Sequence, residues 1–101
     1  LLADSVSAAF FNGGPAFIEA QAYSNVEILA RYRDVEGFPA AIILCRVGKG
    51  KALLSGVHPC YSFTEAVEDC YVKNLLLELE KIDFMRKRLF KDLLIQLDLL
   101  T

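Results

Sequence analysis

A chain of 101 residues with 54% hydrophobic and 24% charged side chains has the composition of a globular core former, which excludes a disordered tail. Its net charge is −2, with five acidic and five basic residues over positions 1–62 and eight and six over 63–101, so neither half offers a basic face for nucleic acid or a membrane surface. The three cysteines, an odd number without CxxC or metal-type spacing, argue against a disulfide framework and for a reducing compartment.

A complete chain of this length would bury only somewhat over ~60% of its unfolded surface. The apolar content is high for so thin a core and points to neighbours outside it. The chain opens on Leu1-Leu2 as though in mid-element, without a basic leader. It reads as a fragment. No apolar run reaches the ~18 residues of a membrane span.

In chain order, Val6 to Phe11 is a short apolar run stopped by Asn12-Gly13-Gly14-Pro15. Asn and Gly accept positive φ and Pro cannot donate to a ladder, so this cluster is a turn. Ala16 to Ala20 reads as a second short strand. In Val26 to Arg33, Val26, Ile28, Ala30 and Tyr32 alternate with Glu27, Leu29, Arg31 and Arg33, the period of a half-exposed strand. Asp34 to Pro39 is a loop. Ala40–Val47 and Lys51–Gly56 flank Gly48-Lys49-Gly50 as a β-hairpin, and their continuous apolar runs predict strands covered on both faces.

From Ser62 onward the texture is helical. Ser62 or Thr64 caps a first stretch with Glu65 and Glu68 in its opening turn, where the partial positive charge of a helix start favours them. A second pattern sets Ile82, Met85, Leu89, Leu93 and Leu97 on one face at spacings of three and four, with Lys81, Arg86, Lys87, Arg88 and Lys91 across much of the other. No Gly or Pro follows Pro59, so the two stretches are either continuous or broken near Glu80 to Asp83. Strands, a hairpin and then helices define an α/β chain.

Four motifs bear on chemistry. Gly48-Lys49-Gly50-Lys51 lacks the strand-to-helix setting of a phosphate loop, and Ala52 stands where a metal-binding Ser or Thr would be, so it is a strand turn. Asn12, Gly13 and Gly14 form a candidate ligand loop, because glycine lets a ligand approach backbone amides; the alternative is a plain tight turn. His58, the one histidine, follows a buried-looking strand and is a candidate general base, although a lone histidine in such a turn is ordinarily structural. Cys60 lies too near it in an extended turn for both side chains to aim at one point. Cys45 and Cys70 read as small core residues, and Arg86-Lys87-Arg88 as a solvated helix face.

The blocks Phe10-Phe11-Asn12-Gly13-Gly14-Pro15-Ala16-Phe17, Val26 to Tyr32 and Ala40 to Pro59, with the tail Asp83 to Leu99, resemble in order the N-terminal domain of eukaryotic, fungal-type biotin protein ligases. The family shows an Asn-Gly-Gly-Gly-x-Phe block, a Leu-Ala-x-Tyr strand and a Val-Gly-x-Gly-Lys hairpin ending in Gly-x-His-Pro-Glu. The resemblance implies the C-terminal part of a class I glutamine amidotransferase-like, flavodoxin-like domain, followed by one or two helices. It places His58 at the triad-histidine position, as a vestige, because the family's upstream nucleophile elbow is absent from these residues. Two positions depart from the pattern: Cys60 replaces the usual Glu, and Pro15 the third Gly.

The resemblance implies residues 1–62 as the strands and hairpin of that domain and 63–101 as a helical segment leading toward a ligase core outside this chain. The expected function is a non-catalytic portion that supports or regulates the core. The parent enzyme would use biotin and ATP to make biotinyl-AMP and biotinylate carboxylase lysines. This chain itself would hold no cofactor or metal, and the biotin- and ATP-binding Gly-Arg-Gly-Arg segment is not in it. The expected partners are the ligase catalytic domain of the same polypeptide and, through it, biotin-dependent carboxylases. Nucleic acid and membrane are not expected, and the location is cytoplasmic. The alternative is a fragment of a stand-alone amidotransferase-like hydrolase or binding module with His58 as base.

Overall fold

A computed structural model describes residues 7–61 and 76–100. They fall into two compact units, one of Phe11–Val57 and one drawn from residues 7–10, 58–61 and 76–100. The chain is mixed α/β, with a three-stranded antiparallel sheet in the first unit and a C-terminal helix in the second.

The sheet has the order β1-β2-β3, with β1 at Val26–Arg31, β2 at Ala40–Val47 and β3 at Gly50–Ser55. The hairpin stands where the sequence places it. Val47 pairs with Gly50 around Gly48-Lys49. Of the two central residues only Gly48 has positive φ, at 58°, the pattern of a type II′ turn whose twist suits antiparallel strands. β2 is the central strand and is buried from Ala40 through Leu44, as its unbroken apolar run predicts. On one side Ile43 and Cys45 oppose Ile28 and Val26 of β1, and Ala20 and Phe17 join that cluster.

β3 departs from expectation. It is an exposed strand, with Leu54 46% accessible, so a continuous apolar run does not by itself mean cover on both faces. β1 departs in a smaller way. Its register slips between Ile28 and Ala30, which leaves Leu29 as the extra residue of a bulge and breaks the sequence's clean alternation; Leu29 is half-buried where a solvent-facing residue is expected.

The short strand expected over Ala16 to Ala20 does not form. Phe17 makes one bridge, its N–H donating to the Ala40 carbonyl at 3.0 Å. Glu19 then enters the left-handed region at φ 55°, and a 3₁₀ turn at Ala20–Ala22 follows. One left-handed residue is enough to end an extended run.

Helix α1 spans Leu76–Gln96 without interruption at Glu80 to Asp83, which settles the second helical pattern as one element. The first helical stretch and its caps at Ser62 or Thr64 lie outside the described residues, as does Cys70. Leu89 and Leu93 are buried, as the helical spacing predicts. Arg86 is the correction: expected on the solvated face, it is 8% exposed. Position 86 falls four residues after Ile82 and three before Leu89, which places it on the apolar face by helical geometry. Lys81, Lys87, Arg88 and Lys91 are exposed as expected. Among the described residues, no helix is long and apolar enough to cross a membrane.

Candidate functional site

The Asn12–Pro15 loop belongs to the sheet unit, and its two glycines serve different ends. Gly13 has φ +70° with open space around its Cα, so it supplies a left-handed bend. Gly14 supplies closeness. A Cβ built on it would overlap the carbonyl oxygen of Gly56, at the end of β3. The contact is reciprocal, because a Cβ on Gly56 would overlap both the Pro15 carbonyl oxygen and the Tyr32 hydroxyl. Two backbone segments therefore touch where neither can carry a side chain.

Tyr32 closes this junction. Its hydroxyl donates to the Pro15 carbonyl at 2.7 Å, and its ring meets Phe11 edge-on at 5.7 Å. Gly56 is held in turn by its N–H to the Ala41 carbonyl at 2.8 Å. Just beyond, the Ser55 hydroxyl accepts from the Val57 N–H at 3.2 Å and donates to the Val57 carbonyl at 2.8 Å, fixing the exit from the strand. Asn12 and Gly13 remain exposed.

Burial pushes the Tyr32 phenol above its ordinary pKa of 10.0. A raised folded-state pKa gives stability that is complete below the unfolded value and lost as pH rises through the folded one. The expected result is a fall in unfolding free energy above about pH 10 in the parent. A Tyr32→Phe variant should be less stable at neutral pH by about 1 kcal/mol, the net worth of one hydrogen bond. It should also lack this part of the alkaline decline. Urea titrations at paired pH values check both, and parallel alkaline curves for parent and variant would contradict them.

His58 belongs to the other unit. Its N–H donates to the Phe10 carbonyl at 2.7 Å, and its own carbonyl accepts from Tyr61 N–H at 3.2 Å. The imidazole lies 5.7 Å from the Phe10 ring at 37°, and Phe10 stacks on Tyr61 at 4.6 Å. His58 is exposed, with the Phe10 ring beside it, and on the helix Asp83 pairs with Arg86 and Lys87. Cys60 is exposed at a groove of about 330 Å³ whose walls include Arg86, Lys87, Lys91, Phe90 and Leu94. Among the described residues, no cluster of three His, Cys, Asp or Glu side chains could hold a metal.

The structure thus joins Gly14 to Gly56 within one unit and His58 to Phe10 and Tyr61 within the other. The sequence singled out the glycine loop and His58 but missed Tyr32, Gly56, Tyr61 and Arg86 as their supports. Tyr32 carries no local signal, since its partner Pro15 is 17 residues away. Arg86 does carry one, in its phase on the helix.

The described residues make a mixed α/β chain, a three-stranded antiparallel sheet and a C-terminal helix. Residues 2–101 match the family model for the N-terminal region of biotin-protein ligase, and the chain belongs to that family. A biotin–protein ligase of Schizosaccharomyces pombe is 48% identical over 54 residues, covering 52% of this chain and 9% of that protein. An uncharacterized protein of Chlamydia muridarum is 50% identical over 52 residues, covering 52% of this chain and 20% of its own. The chain thus spans a small part of each relative. No solved structure matches it.

Proposed function

We propose that this chain is a non-catalytic part of the N-terminal domain of a biotin–protein ligase, where it supports or regulates the ligase core of the same polypeptide. The observation that carries the reading is the family match across residues 2–101. The parent enzyme, located in the cytoplasm, makes biotinyl-AMP from biotin and ATP and passes the biotin to carboxylase lysines. The domain has a class I glutamine amidotransferase-like fold, with His58 as its vestigial triad histidine. The packing of His58 on Phe10 supports a role for it in holding the turn.

The test is biotin transfer to a carboxylase acceptor domain by the whole ligase carrying this chain and by the chain alone. The expected results are transfer by the whole enzyme, little changed in His58→Ala, and none by the isolated chain. Transfer by the isolated chain would overturn the non-catalytic reading, and so would loss of transfer in a folded His58→Ala ligase.

The Chlamydia muridarum relative favours a second reading. The matched stretch is a larger share of that protein than of the ligase, as it would be in a stand-alone amidotransferase-like hydrolase or binding module with His58 as base. The reading frame around this chain separates the two. A downstream Gly-Arg-Gly-Arg segment marks the ligase, and an upstream Cys on a glycine-flanked elbow marks the hydrolase.

A further inference from the structure

We infer that Arg86 is a positioning residue that fixes the His58–Pro59 turn to helix α1. The inference goes beyond the proposed function and stands on contacts within one unit of the chain.

An arginine on the buried face of a helix needs an account. Taking a guanidinium out of water is unfavourable unless its N–H groups are met. An apolar side chain would extend the Leu89 and Leu93 face without that penalty. Arg86 instead makes two directed bonds. Its Nε donates to Asp83 Oδ1 at 3.1 Å, one helical turn back, and its Nη1 donates to the Pro59 carbonyl at 3.1 Å. Asp83 also receives Lys87 Nζ at 3.4 Å on its other oxygen, so the carboxylate is held by two cations and orients the guanidinium in turn.

The distal bond lands one residue past His58. The His58 backbone is tied on one side to Phe10 and closed at Tyr61. Arg86 supplies a tie from the helix, 27 residues along the chain from Pro59. With all three in place the imidazole is set against the Phe10 ring. When the helix tie is removed, the Pro59 peptide loses its charged donor and the ring leaves that setting. The rigid planar fork is what lets one side chain reach both acceptors, which lysine's single ammonium does not do.

His58 is the one histidine of the chain, so its ring signals are read without assignment ambiguity. The experiment records the imidazole proton shifts by NMR in the 101-residue protein and in Arg86→Lys, Arg86→Met, Asp83→Asn and Leu93→Ala. The expected result is that both Arg86 variants lose most of the offset of the His58 ring protons from random-coil values, while amide signals elsewhere show a retained fold. Asp83→Asn should fall between them and the parent. Leu93→Ala, which weakens the same buried helix face two turns along from Arg86, should lower the unfolding midpoint and leave the His58 shifts in place. If Arg86→Met does not fold, Arg86→Lys carries the test. Parent-like His58 shifts in a folded Arg86 variant would overturn the inference, as would an equal change in Leu93→Ala. Neither outcome bears on whether the parent protein is a ligase.

Discussion

Gly56→Ala should destabilise the protein by about 3 kcal/mol, at the upper end of what overpacking a tight site costs. The added methyl would overlap two oxygens at once, the Pro15 carbonyl and the Tyr32 hydroxyl, and these are bonded to each other at 2.7 Å. The Pro15 carbonyl is backbone and does not rotate away, a Tyr32 hydroxyl that swings aside gives up its bond to that carbonyl, and Gly56 is itself pinned through its N–H to Ala41 in the central strand. Gly14→Ala should behave alike, because its methyl would meet the Gly56 carbonyl, which is backbone and cannot rotate away. Gly13→Ala is the control. It meets nothing within 4 Å and carries only the strain of φ +70°, so it should cost about 1–2 kcal/mol. Urea midpoints at constant m-value give the order. If Gly56→Ala unfolded at the parental midpoint, the loop would not rest on the strand end as described.

How much of this was legible in the sequence differs from feature to feature, for physical reasons. The hairpin was legible because Gly48-Lys49-Gly50 lies between two apolar runs and turn chemistry is local. The helical period of α1 was legible because no Gly or Pro interrupts it, but continuity and a break near Glu80 to Asp83 both fitted the sequence, and the structure shows continuity. The strand expected over Ala16 to Ala20 failed because composition cannot show that Glu19 turns left-handed. The bulge at Leu29 failed for a related reason, since a register slip depends on the partner strand. The Gly14–Gly56 contact joins segments some forty residues apart, and no pattern within either announces the other. Arg86 is different. Its helical phase placed it among Ile82, Leu89 and Leu93, and its charge was allowed to outweigh that phase. A basic residue in phase with an apolar stripe is a signal for a buried tie, and here the tie reaches Pro59.

Leu44→Ala should cost about 3 kcal/mol, within the range for truncating a buried leucine. Leu44 is 0% exposed and lies in the middle strand, with Glu27 opposite on β1 and Leu53 opposite on β3. Both ladders hold its backbone, so the strand cannot shift to fill the space and the cavity term stays with the transfer term. Leu54→Ala, on the adjacent Ile43–Leu54 rung, in an exposed edge strand and 46% accessible, should cost less than about 1 kcal/mol because water already reaches the site. The two residues have the same side chain and sit in the same hairpin, so the difference isolates burial from composition. A difference in unfolding free energy of about 2 kcal/mol or more is the expected reading. Equal losses would mean that β3 is covered as its apolar run first suggested, and that the exposed edge described for the sheet is wrong.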